Sequence, residues 1–88
     1  MKIKDGFLLR EVAGNYVVIA TGDEALDFGG IITVNEVGAL IWKTLEKGAT
    51  SEEVVDAVCA EYDIDRETAD KDAKEFVKKL WDNNIIVQ

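Results

Sequence analysis

Residues 29–42 read Gly29-Gly30-Ile31-Ile32-Thr33-Val34-Asn35-Glu36-Val37-Gly38-Ala39-Leu40-Ile41-Trp42. Two glycines precede a short apolar run, Ile31 to Val34, rich in the β-branched residues that favour extended backbone. Asn35 follows, and asparagine is among the best helix N-caps because its side chain accepts from the unpaired amides of a first turn. From Val37 the apolar positions change period: Val37, Leu40, Ile41, Thr44 and Leu45 fall on one helical face. The stretch therefore predicts a strand over 30–34 leading straight into a helix over 36–47, with Gly48 as its C-terminal stop. A strand so placed is either core or a sheet edge left open to another chain.

Working outward, Phe7-Leu8-Leu9-Arg10-Glu11-Val12 and Tyr16-Val17-Val18-Ile19-Ala20 are two runs of strand formers separated by Ala13-Gly14-Asn15, a hairpin signal. Residues 21–29 read as a polar connection. Asp23, Glu24 and Asp27 within it fit no calcium loop and read as solvated charge. Downstream, Thr50 with Glu53 three residues on is a capping box. It opens a helix over 51–62 with Val54, Val55, Val58, Cys59 and Tyr62 on its apolar face. Asp65 caps a third helix over 66–82, Asn83-Asn84 ends it, and Ile85-Ile86-Val87 is a short apolar tail expected to return to the core. Strands first and helices second predict one α+β domain over residues 1–88.

Composition narrows the function classes. The chain has 48% apolar residues, enough for a globular core. No apolar run reaches the roughly 18 residues of a membrane span. The N-terminal MKIKDGFLLREV breaks its apolar positions with charges, unlike a signal peptide. The expectation is a soluble cytosolic protein that binds no membrane. There is no histidine, which removes Ser/His/Asp and Cys/His nucleophile pairs and the commonest zinc ligand. The single cysteine, Cys59, cannot form an internal disulfide, and with no cation in register it reads as a structural thiol. Neither GxGxxG nor GxxxxGK[ST] occurs. No cofactor or metal is expected, and a binding module is favoured over an enzyme. With 18 acidic against 10 basic residues the net charge is −8, the wrong sign for nucleic acid.

The third helix carries the most information. At 100° per residue Ala69, Ala73, Phe76, Val77 and Leu80 form a core stripe. Trp81 falls at one edge of that stripe beside Asp70 and Lys74; Asp72, Glu75 and Lys79 follow the other; Lys71 and Lys78 point outward. Residues 66–79 hold five basic and four acidic groups, so this segment is locally basic on an acidic domain and suits an acidic ligand segment. The plainer reading is helix support from the i, i+4 pairs Asp70–Lys74, Lys71–Glu75 and Glu75–Lys79. Trp81 fits either a lid on the core or an interface. Trp42 reads as core.

Four stretches now meet a known pattern: FLLREV at 7–12, VNEVGALIW at 34–42, GATSEEVV at 48–55 and DAKEFVKKL at 72–80. In their order and spacing they resemble the pyrroloquinoline quinone biosynthesis protein D family, also called precursor-peptide recognition elements. The resemblance covers nearly the whole chain. Val34 stands where the family usually has leucine before the asparagine, a conservative change.

The resemblance implies a winged-helix-like α+β fold, with a three-stranded antiparallel sheet packed on a three-helix bundle. It also implies a non-catalytic module. Such a module binds the leader segment of a ribosomally made precursor peptide and presents it to a modifying enzyme, often a radical S-adenosylmethionine enzyme. The leader would join the third strand as an added strand, in the cleft between that strand and the third helix. Gly30, Ile31, Ile32, Thr33 and Val34 would supply the edge, with either Ile31 and Thr33 or Ile32 and Val34 facing the cleft. Lys74 with Trp81, or Glu75 with Lys79, would form the helix wall. The helix lysines Lys71, Lys74 and Lys78 would attract leader carboxylates, and Gly29 and Gly30 would admit a second backbone. Two other readings stand beside this one. The first is a winged-helix DNA-binding domain, opposed by the charge. The second is a structural subunit, or a homodimer through the open strand edge.

Overall fold

The computed structural model describes residues 1–22 and 32–88. The expectations placed on Asp23, Glu24, Asp27, Gly29, Gly30 and Ile31 therefore lie outside the described residues.

The hairpin forms from strands β2 (Phe7–Val12) and β3 (Asn15–Ala20), after a short strand β1 (Lys2–Ile3). The turn is tighter than the sequence predicts. Asn15 pairs with Val12, so only Ala13 and Gly14 make the reversal. Both lie in the left-handed region, at φ 52° and 82°. Paired positive φ values give the turn a twist that matches the strands it joins. Alanine tolerates this poorly, so the position suits asparagine or glycine better.

Strand β4 (Ile32–Val34) pairs antiparallel with β3, Val18 opposite Ile32 and Tyr16 opposite Val34. The sheet order is β2-β3-β4. The pleat alternates cleanly: Ile32 and Val34 are buried and Thr33 is exposed. Phe7, Val18, Ile32 and Val34 thus face the helices, with Leu9, Tyr16 and Ala20 packed beside them.

Asn35 ends β4 and starts helix α1 (Glu36–Glu46), its side-chain oxygen accepting the Gly38 amide at 2.7 Å. Helix α2 (Ser51–Glu61) begins with both halves of the Thr50–Glu53 capping box in place. Helix α3 (Arg66–Asp82) is capped by Asp65, which accepts from the Thr68 amide at 2.7 Å. That hydrogen bond stabilises the ionised carboxylate and holds Asp65 below the usual carboxylate range. At the other end of α3, Asn84 is left-handed at φ 59°. Its amide donates to Trp81 O and the Ile85 amide to Leu80 O, the paired bonds of a Schellman cap. Leu80 and Ile85, which such a cap brings together, are both fully buried.

That cap turns the chain back, and strand β5 (Ile86–Val87) pairs antiparallel with β1. The tail does return to the core, as expected. Its pairing with the first residues is an addition the sequence does not reveal, because two-residue strands have no readable period. The core between sheet and helices centres on Val18, Ile41, Trp42, Leu45, Val54, Val58 and Leu80, all at most 1% exposed. Trp42 is core, as the sequence suggests, although its indole N–H finds no acceptor among the described residues. Cys59 is half-buried against this core.

Candidate functional site

An edge strand carries a row of amides and carbonyls with no ladder partner. β4 is such a strand: β3 lies on one side, and among the described residues no strand lies on the other. Its three residues are all β-branched and run straight into the Asn35 cap, so the chain leaves the sheet for α1 at once.

What stands beside the end of β4 is decided by Gly38. A Cβ built at this position would lie 2.6 Å from Val34 Cγ1 and 3.0 Å from Phe76 Cε1. Only a residue without a side chain lets β4, α1 and α3 meet this closely. The contact brings one flank of α3 next to the exit of β4. A groove of about 300 Å³ opens there, lined by Asn35, Val37, Gly38 and Ile41 on one side and Asp72, Glu75, Phe76 and Lys79 on the other. Apolar surface from Val37 and Phe76 is set among the charges of Asp72, Glu75 and Lys79. Among the described residues none of those three charges is in an ion pair. The anticipated Lys71–Glu75 and Glu75–Lys79 pairs do not form.

The opposite flank of α3 does something else. Lys74, Val77, Lys78 and Trp81 line a second groove, about 210 Å³, between α3 and α2, with Val54, Val55 and Ala73 also lining it. Lys74 pairs with Asp70 at 2.8 Å, as expected, and Lys78 pairs with Asp82 at 2.7 Å. Both pairs are exposed, and such pairs contribute about 0.3–0.5 kcal/mol each. Trp81 is 40% exposed here. Lys71 is exposed on α3 and lines neither groove.

The sequence-predicted residues therefore divide. Ile32, Thr33 and Val34 form β4, and Glu75 lines the groove at its exit. Lys74, Lys78 and Trp81 sit on the far flank, against α2. Of the two alternatives for the strand, Ile32 and Val34 point to the helix side and Thr33 to the outer face of the sheet. Of the two helix walls, Glu75 with Lys79 is the one beside β4. Sequence reasoning assigned Phe76 to the core alone, and gave Asp72 and Gly38 no part. A glycine inside an amphipathic helix was the available signal, since it costs about 1 kcal/mol against alanine and needs a packing reason.

A model described as coenzyme PQQ synthesis protein D matches residues 8–86. Two solved structures share the fold. TbiB1 in complex with the TbiA(beta) leader peptide superposes with a TM-score of 0.76 at 34% identity, over 97% of this chain and 93% of that one. Lasso peptide synthetase B1 complexed with the leader peptide superposes at 0.75 and 20% identity, over 99% and 96%, and at that identity it speaks to the fold alone. No curated protein matches significantly. The three-stranded antiparallel sheet and three helices expected from the sequence are those of these structures.

Proposed function

The chain belongs to the coenzyme PQQ synthesis protein D family, and on that premise we propose that it captures the leader segment of a ribosomally made precursor peptide by strand addition. It holds the segment on the open edge of β4 and presents it to a modifying enzyme, such as a radical S-adenosylmethionine enzyme. Its part is binding, without chemistry of its own. The observation that carries this reading is the edge of β4 that no strand among the described residues pairs, beside the groove walled by Phe76, Glu75 and Lys79. The 34% identical TbiB1, solved in complex with a leader peptide, supports it.

The physics of the site suits an extended peptide. Main-chain hydrogen bonds to β4 supply affinity whatever the peptide sequence, and pockets for alternate side chains supply selectivity. Side chains on the helix side of the added strand enter the Phe76 groove, where Asp72, Glu75 and Lys79 read their charge. Ordering a disordered leader offsets part of this gain. The expected affinity is about micromolar, roughly −8 kcal/mol.

The test is an NMR titration of the ¹⁵N-labelled chain with leader peptides encoded near its gene. Capture at this site shifts amides of residues 32–38 and of the Asp72–Lys79 flank. Absence of shifts with every neighbouring leader overturns the reading. Shifts confined to Lys74, Lys78 and Trp81 move the peptide to the α2/α3 groove.

A further inference from the structure

We propose that the outer face of the three-stranded sheet docks the modifying enzyme, through a partner surface in which apolar side chains surround a carboxylate. The identity of the partner rests on the capture reading. The surface is separate from the groove, since it lies on the side of the sheet away from the helices.

The register defines this face. Leu8 lies opposite Ile19, Arg10 opposite Val17, Val17 opposite Thr33, and Val12 opposite Asn15. Directly opposed residues in a sheet share a face. None of Leu8, Val12, Val17 or Ile19 packs into the core cluster. A sheet with one wet face normally carries polar residues there. This one carries four aliphatic side chains, with Leu8 43% and Val12 57% exposed. Aliphatic cross-strand pairing stabilises a hairpin and accounts for Leu8 with Ile19. It does not account for Val12, whose opposite residue is Asn15.

Arg10 stands in the middle of these aliphatics, and no ion pair among the described residues includes it. A guanidinium ringed by apolar surface is the composition of an interface centre. Once water is excluded from around it, a carboxylate is its natural partner, by bidentate pairing. A second copy of this chain fits less well. A twofold contact centred on the patch would oppose two Arg10 side chains and bring together two chains of net charge −8. The patch also meets the capture edge, because Thr33 belongs to both. A strand added to β4 presents every second side chain on this same face, so the partner reads domain and peptide together.

The test uses the purified modifying enzyme encoded beside the gene, immobilised for interferometry against the full chain. Its variants are Arg10→Glu, the double variant Leu8→Ser with Val12→Ser, and Lys78→Glu as a surface control. Leader affinity of each is read separately by fluorescence anisotropy. Arg10→Glu and the double variant are expected to weaken enzyme binding by about tenfold or more, some 1.4 kcal/mol. Leader affinity then stays within about twofold and Lys78→Glu matches the wild type. Wild-type binding by both sheet variants overturns the proposal, as does failure of the wild type to bind the enzyme. So does a wild-type dimer in sedimentation that the double variant dissolves. If the enzyme data come out as expected but no leader binds, the capture reading falls and the docking face stands.

Discussion

The two flanks of α3 are built from similar residues and face different neighbours. One flank presents Phe76 among Asp72, Glu75 and Lys79; the other presents Val77 and Trp81 among Lys74, Lys78 and Asp70. Each is an apolar strip edged by charge. They differ in what stands opposite. Beside Phe76 is the end of a strand whose edge is open among the described residues, reached through the missing side chain of Gly38. Beside Trp81 is a helix, α2, whose backbone is satisfied within itself. An extended peptide gains main-chain hydrogen bonds only from the first. An exposed tryptophan and two lysines are the more conspicuous features in the sequence, and they lie on the flank that cannot offer a ladder.

Filling the Gly38 space is the severest way to break this asymmetry. Gly38→Leu forces Val34 or Phe76 to move, and overpacking of this kind costs about 1–3 kcal/mol. The urea midpoint should fall, and leader affinity should fall with it because β4 is pushed from α3. Unchanged leader binding would detach the peptide site from this junction.

Paired truncations compare the flanks directly. Phe76→Ala should weaken leader binding by about tenfold or more, while Trp81→Ala stays within about twofold. Calorimetric titration of both variants with one leader peptide decides it. A reversed order of effects would place the peptide against α2.

Charge reversal is a finer cut. Lys79→Glu should lower affinity for an acidic leader a few-fold in low salt, and the loss should shrink near 1 M salt, where screening reaches about 3 Å. Lys74→Glu with Lys78→Glu should leave leader affinity nearly unchanged, since those lysines serve Asp70 and Asp82. A large loss from that pair would return the cationic role to the far flank.

The smallest effect concerns pH and lies outside both grooves. The Asp65 carboxyl, held low by the Thr68 amide, binds its proton less readily folded than unfolded. Its contribution is therefore present above the unfolded carboxylate range and is lost as pH falls through the lower folded value. Asp65→Asn keeps the cap but has no proton to take up. Its urea midpoint should decline less steeply than the wild type's as pH drops below about 4. Parallel acid limbs would show the cap contributes no pH dependence.

Local rules were enough for much of this protein. Asn35, the Thr50–Glu53 box and Asp65 start helices wherever they precede a helical period, because a cap acts within three residues. The strand runs and the change from period two to period 3.6 after Asn35 set the element order, and the order of four motifs pointed to the family. Three things needed the tertiary structure. The β1–β5 ribbon joins residues far apart in sequence through strands too short to show a pattern. The flank of α3 that meets β4 depends on how helix and sheet pack against each other, a close approach that Gly38 permits and that a helical wheel does not contain. The status of Arg10 among Leu8, Val12, Val17 and Ile19 depends on register, because only pairing brings β2 and β3 side chains onto one face. The sequence determined what each segment becomes, since capping and periodicity are local. Which surfaces face each other, and which stay open to a partner, follows from packing between distant segments, and only the folded chain decides it.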